Sequence, residues 1–506
     1  MTATADRPGR ARVATTEARG ADDDGVHWDV VVIGAGISGI SAAWHLQTMC
    51  PDRTFTILEG RSNLGGTWDL FRYPGVRSDS DMHTLGFAFK PWVADEAIAD
   101  GPAIMAYLDE TVDEFDLRRH IRFGHHVRAA QWSSDAKRWT LSVRSGGDDT
   151  TITAGFVLMC TGYYSYRGGH RPDFRGEAAF EGPIVHPQAW PDDLDYVDKR
   201  VIVIGSGATA VTLVPALAAS GAAHVTMLQR SPTWMVAAPT KDPLANLLRK
   251  VLPAQLAYRL TRAKNVNLTD KVYKRSRTHP DKVANALRKR LRKHLTDAQI
   301  DEFFTPRYDP WDQRLCLVPD ADLFGAMREG RAEIVNGTVD SFTASGVRLD
   351  SGEHLDADIV VTATGLELVT IGEMDFDVDG ERVDFSKRWS YKGFGYSDLP
   401  NLVSTFGYIN ASWTLRADLV SAYACRILNH MAASGTTIAT PTLRPSDADM
   451  PPRPWVDGFS AGYMTRMMPL LPKQGDRAPW INTQDYKADR ELLGDVPVDD
   501  GVMIFA

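Results

Sequence analysis

The sequence predicts an α/β chain with two Rossmann-like dinucleotide-binding domains and a helical insertion in the second, on three observations. A strand, a Gly-rich turn and a helix follow one another in WDVVVIGAGISGISAAWHL. The same order recurs in KRVIVIGSGATAVTLVPAL, and a strongly basic stretch of helical pattern lies downstream of that second unit. Length agrees, since 506 residues at 43% hydrophobic content exceed what a single core usually organises.

The first 26 residues lack an apolar core and carry three consecutive aspartates, which argues against a secretory or transit signal and for a disordered tail. The first unit follows, with Gly34, Gly36 and Gly39 at GxGxxG spacing and Ser38 inside the turn. The first glycine permits the tight turn, the second lets a pyrophosphate approach the backbone, and the third allows helix and strand to pack closely. The helix N-terminus adds positive dipole. Twenty residues after Gly39, Glu59 ends the phrase FTILEG, where an acid suits ribose hydroxyls.

In the second unit Gly205, Gly207 and Ala210 take the three turn positions, with Ser206 and Thr209 between them. Where the first unit has Glu59, the second has Arg230 followed by Ser231. A carboxylate there would repel a ribose 2′-phosphate, whereas an arginine forms charge-assisted hydrogen bonds to one. FAD is therefore expected in the first unit and NADPH in the second, with a solvated surface arginine as the alternative for Arg230.

The phrases FVLMCTGYY and DIVVTATGLE read as strands that end where the chain crosses between domains. The FAD domain is thus expected in two parts, 27–165 and 355–506, with the NADP domain at 166–354 between them. From Lys241 to His294 the chain carries sixteen Lys or Arg against three Asp or Glu, and a helical insertion is expected at about 241–300. Two uses stay open for it. It is a solvated insertion, or its segment LANLLRKVLPAQLAYRL presents an amphipathic face to a membrane surface or another polyanion.

A net charge of -9 argues against nucleic acid as the main partner. The four cysteines form no CxxC, which sets aside a redox dithiol and a cysteine metal site. No run approaches the apolar length of a membrane span, and a cytoplasmic protein is expected.

Between the two units lies FEGPIVHPQAWP, which resembles the FxGxxxHxxxW[P/D] fingerprint of type I Baeyer–Villiger monooxygenases, class B flavoproteins that use FAD, NADPH and dioxygen. Phe180, Gly182, His186, Trp190 and Pro191 all match it. The runs GGTWDLFRYPGVRSDSDMHTLGF, TPRYDPWDQRLC and GYINASWTLRADL are similar to the branch that includes ethionamide monooxygenases. The resemblance implies insertion of one oxygen atom beside a ketone carbonyl to give an ester or lactone, through a flavin C(4a)-peroxide, with sulfoxidation as a side activity. It also implies that Gly66, Thr67, Trp68, Tyr73, Asp79 and Val127 contribute to the cofactor site, and that Asp79 positions Arg314 as the active-site cation.

One departure is Gln313, where the family often has a lysine that contacts the NADP phosphate. From the residues alone, Arg314 also suits an ordinary ion pair and Asp79 a helix N-cap. His186, in a linker with no nucleophile beside it, is expected to fix an interdomain joint rather than to act as a base. The alternatives in function are a flavin N- or S-monooxygenase acting on soft heteroatoms, and a membrane-recruited or nucleic-acid-binding protein with a vestigial cofactor site.

Overall fold

The apolar strand His27–Ile33 lies in the middle of a nine-stranded sheet, between Phe55–Leu58 and Asp148–Met159, and pairs in parallel with both. Its Val30, Val31 and Val32 are fully buried because helices cover one face and the meander His125–Ser133, Arg138–Ser145, Asp148–Met159 continues the sheet. The computed structural model describes residues 25–369 and 371–506, so nearly all of the expected N-terminal tail lies outside the described residues. Helix Ile37–Met49 follows the first Gly-rich turn and packs on the long helix Thr414–Ser434. That contact ties the two ends of the chain into one layer.

The second sheet has five parallel strands, in the order Ala332–Asn336, His224–Gln229, Arg200–Ile204, Ile359–Thr362, Ile184–Val185. The chain leaves the first sheet after Met159 and returns to it with Asp375–Val378 and Leu402–Ser404. The first sheet is thus built from two separated stretches of sequence. The boundary expected at 354/355 falls too early, however. The buried run Ile359–Thr362 sits between Arg200–Ile204 and Ile184–Val185, so the return crossing comes after Thr362.

Helices Pro243–Val251, Ala254–Thr278, Pro280–Leu291 and Asp297–Phe303 form the insertion between the paired strands Met235–Ala238 and Cys316–Pro319. Its basic composition suggests a solvated body, yet Ala254–Thr278 is docked on the first unit. Arg262, only 9% exposed, donates to the carbonyl oxygens of His83, Thr84 and Gly86 at 3.0, 3.2 and 2.7 Å and lies 3.5 Å from Asp418. These carbonyls end the short helix Met82–Leu85 and have no helical partners; Arg262 Nη1 reaches all three, and Thr414 Oγ1 also donates to those of Thr84 and Gly86 at 2.8 and 3.3 Å. Tyr258 adds a hydrogen bond to the carbonyl of Phe87 at 3.0 Å. Among the described residues no helix is long and apolar enough to cross a membrane.

Candidate active site

A cavity of about 560 Å³ opens at the C-terminal ends of His27–Ile33 and Phe55–Leu58, where parallel strands leave their ligand crevice. Gly34, Gly36, Ser38, Glu59, Gly66, Thr67, Trp68, Tyr73, Asp79 and Val127 line it. Gly39 does not line it. A Cβ on Gly39 would lie 1.9 Å from the carbonyl oxygen of Gly34, so this glycine lets the helix close onto the turn from behind.

The cavity fits a dinucleotide in two respects. Gly36 and Gly66 face each other, and a Cβ on Gly66 would come within 3.2 Å of Gly36 Cα, so side chains there would fill the cradle. Glu59, 6% exposed, accepts the backbone N–H of Ala35 at 2.7 Å and that of Arg61 at 2.9 Å. Burial raises its pKa above the usual carboxylate value, and the two backbone donors oppose that rise. The acid is held rigidly with lone pairs to spare for hydroxyl donors.

The second Gly-rich turn approaches the same cavity. Thr209 lines it, and its hydroxyl tempers a rise that burial imposes on Tyr73, whose pKa is pushed up to about 12. Ser206 Oγ is 2.7 Å from Thr233 Oγ1, Ala210 is fully buried, and a Cβ on Gly207 would meet nothing within 4 Å, which leaves the outer side of the turn open. Gly205, with a positive φ of 140°, makes the turn itself. Arg230 and Ser231 follow strand His224–Gln229 and are exposed outside this cavity. Among the described residues Arg230 has no hydrogen bond or ion pair of its own, so its charge is available to a ligand.

Arg314 meets Asp79 in the wall between this cavity and another, of about 540 Å³, and both residues line both spaces. Arg314 Nε lies 3.1 Å from Asp79 Oδ2. The Asp79 carboxylate is the main reason that the guanidinium is held charged against its desolvation. The N-cap of helix Met82–Leu85 is Asp81, which accepts from the Thr84 N–H at 3.1 Å, so Asp79 is left to pair with Arg314. The second cavity also takes in Thr84, Asn410 and Leu415 and is walled in addition by helices Ala254–Thr278 and Pro280–Leu291.

Sequence reasoning missed the aromatic shell of the pair. Tyr163 stacks on Trp413 at 5.1 Å and 13°, and its hydroxyl is 2.8 Å from that of Tyr164. Trp413 Nε1 donates to Ser38 Oγ at 2.6 Å, which ties the late segment to the first turn. Burial raises the pKa of Tyr163, Tyr164 and Tyr463 above the usual phenol value, so all three keep their protons at neutral pH. The pair of tyrosines in CTGYY was the available signal, but it read as the end of a strand.

The linker fingerprint lies elsewhere, and none of its residues lines either cavity. His186 Nδ1 accepts the Gln188 N–H at 3.2 Å, so Nε2 carries the proton and donates to the Gly365 carbonyl at 3.1 Å. Burial lowers its pKa and favours that neutral form. Phe180 packs on Phe342 in the core of the second unit, and a Cβ on Gly182 would clash with the Asp358 carbonyl at 2.2 Å. Half-buried Trp190 packs at the edge of the second core and meets Tyr196 edge-on at 6.3 Å, while Pro191 is exposed. The fingerprint thus joins the linker to the return crossing at Gly365.

Two dinucleotide turns that converge on one crevice, with a charge pair in its far wall, place the chain in the class of pyridine-nucleotide-dependent flavoproteins. A family model described as pyridine nucleotide-disulphide oxidoreductase matches residues 28–283. All four cysteines are free and buried. The FAD-containing monooxygenase EthA of Mycobacterium tuberculosis is 49% identical over 481 residues, which cover 95% of this chain and 98% of that protein. The probable FAD-binding monooxygenase AlmA of Acinetobacter baylyi is 47% identical over 480 residues, covering 95% and 96%. The chain belongs to this family of FAD-containing monooxygenases. In fold it is similar to an oxidized steroid monooxygenase bound to NADP, with TM-score 0.75 and 22% identity over 95% of this chain and 99% of that one. It is also similar to an ε-caprolactone-bound cyclohexanone monooxygenase, with TM-score 0.68 and 22% identity over 83% and 90%.

Proposed function

We propose that this chain is an FAD- and NADPH-dependent Baeyer–Villiger monooxygenase that converts a ketone to an ester or lactone, with sulfoxidation as a secondary activity. The observation that carries the proposal is the Arg314–Asp79 pair in the partition between the nucleotide crevice and a second, largely apolar cavity. Gly34, Gly36, Glu59 and Gly66 would hold FAD, and Arg230 with Ser231 would hold the 2′-phosphate of NADPH. When bound, these groups supply the hydride and the activation of dioxygen.

The protein must then place a carbonyl beside the crevice and stabilise negative charge on its oxygen. Arg314 is suited to that task because its charge is already in place and costs no reorganisation during the reaction. Asp79 aims the guanidinium and keeps it protonated. Tyr163, Tyr164 and Tyr463 lie near the pair and keep their protons, which limits stray proton acceptors at the reacting centre. His186 plays no chemical part in this account and positions the linker.

A product-identified screen of linear, cyclic and aryl ketones against sulfides tests the proposal. Esters or lactones are expected from ketones; sulfoxides alone, with ketones left untouched, would move the chain to the heteroatom-oxidising alternative. Coenzyme choice gives a separate check on Arg230. Arg230→Ala is expected to raise the KM for NADPH about tenfold or more, the size of a lost charge-assisted hydrogen bond, while the KM for NADH stays put. An equal change for both coenzymes would remove Arg230 from the phosphate site.

A further inference from the structure

The walls of the second cavity mix aliphatic side chains, including Val236, Val266, Val283, Leu287, Leu315 and Ile409, with charged ones. Its charges are unevenly partnered. Every carboxylate that lines it is engaged: Asp79 by Arg314, Asp81 by the Thr84 N–H and by Asn265 at 2.8 Å, Asp270 by Lys274 and Lys487 at 2.8 Å each, and Asp485 by Lys274 at 2.8 Å. Three lining cations, Arg275, Lys282 and Arg290, have no carboxylate within 4.0 Å among the described residues. Their neighbours on the same two helices do find partners, Arg277 with Asp312 at 2.5 Å and Arg288 with Asp301. The three free cations are exposed, as are Leu268 and Val272 on the same wall at 58% and 41%. They therefore lie on the solvent-exposed part of a space that Arg314 also lines.

We infer that the substrate is an amphiphile, with an apolar chain that fills this cavity, an anionic head group held by Arg275, Lys282 and Arg290 at the mouth, and its ketone at Arg314. A chain carboxylate is the simplest such head group. The inference rests on the oxygenation reading above and adds to it a polarity, head outward and carbonyl inward. It also gives the basic insertion a use beyond solubility, because an anion recovers the attraction that no carboxylate among the described residues supplies.

Decanoate and 1-decanol, titrated by calorimetry into the FAD-loaded protein, separate the head-group site from turnover. Decanoate is expected to bind about five- to tenfold more tightly at low salt, the product of three exposed charge contacts, with the advantage shrinking in 0.5 M sodium chloride as ~3–5 Å screening sets in. Joint Arg275→Gln, Lys282→Gln and Arg290→Gln substitution should bring the two affinities within twofold. Should that triple variant fail to fold, Lys282→Glu with Arg290→Glu must shift the preference toward decylamine. Equal binding of decanoate and decanol by the native protein, or a preference that survives in either variant, overturns the inference. The turnover arm compares 9-oxodecanoate with its methyl ester, and a several-fold higher kcat/KM is expected for the acid. Oxygenation of both at equal kcat/KM contradicts the head-group site alone, whereas a decanoate preference with neither ketone oxygenated contradicts the oxygenation reading and leaves the anion site standing.

Discussion

Arg314→Ala lowers ester formation from a ketone by about 10²- to 10³-fold, the usual cost of removing one fixed donor from a developing oxyanion, while NADPH consumption continues and its electrons end as hydrogen peroxide. The split is expected because Arg314 lies at the partition, 3.1 Å from Asp79, and not among the backbone groups of the Gly-rich turns that would hold the nucleotides. Flavin content should stay at the native level. Ester and peroxide measured side by side against NADPH consumed decide the matter. Undiminished ester, or a protein that no longer retains flavin, would show that Arg314 serves structure and not the reacting carbonyl.

Gly39→Ala removes FAD binding. The new Cβ would be placed 1.9 Å from the Gly34 carbonyl oxygen, and neither atom can move without opening the turn or lifting helix Ile37–Met49 from its strand. Gly39 does not line the nucleotide crevice, so the loss would come through the shape of the turn. A cost of about 3 kcal/mol or more is expected, at the upper end of overpacking in a buried site. Flavin absorbance per protein and the melting temperature read it out; a yellow protein with native melting would mean that the turn tolerates what its geometry forbids.

The dinucleotide turns were legible because their chemistry is local. A glycine that must meet a carbonyl, an acid that must meet a ribose and an arginine that suits a phosphate all declare themselves within thirty residues. The docking of the insertion was not legible, since the buried face of Ala254–Thr278 is built from Ala257, Tyr258, Thr261, Arg262 and Asn265 and carries no apolar stripe to announce it. Polar side chains there satisfy loose carbonyls, a purpose visible only once the helix Met82–Leu85 lies beside them. The phrase DIVVTATGLE reads as ending at the return crossing, but the expected boundary puts its strand in the wrong unit for a related reason: Ile359–Thr362 is buried on both faces, and such a run fits a central strand of either sheet. Arg314 and Asp79 are 235 positions apart, and no spacing rule could pair them; family resemblance did so. The aromatic shell of Tyr163 and Trp413 joins residues 250 positions apart and stayed hidden for the same reason.

The most direct measurement of the oxygenation mechanism supplies 2-decanone, NADPH and heavy-isotope dioxygen to the purified, FAD-loaded protein and reads the product by mass spectrometry. Octyl acetate carrying one heavy oxygen atom is the predicted result. Full consumption of NADPH with all of its electrons recovered as hydrogen peroxide, and no ester from this or any other ketone, would contradict it.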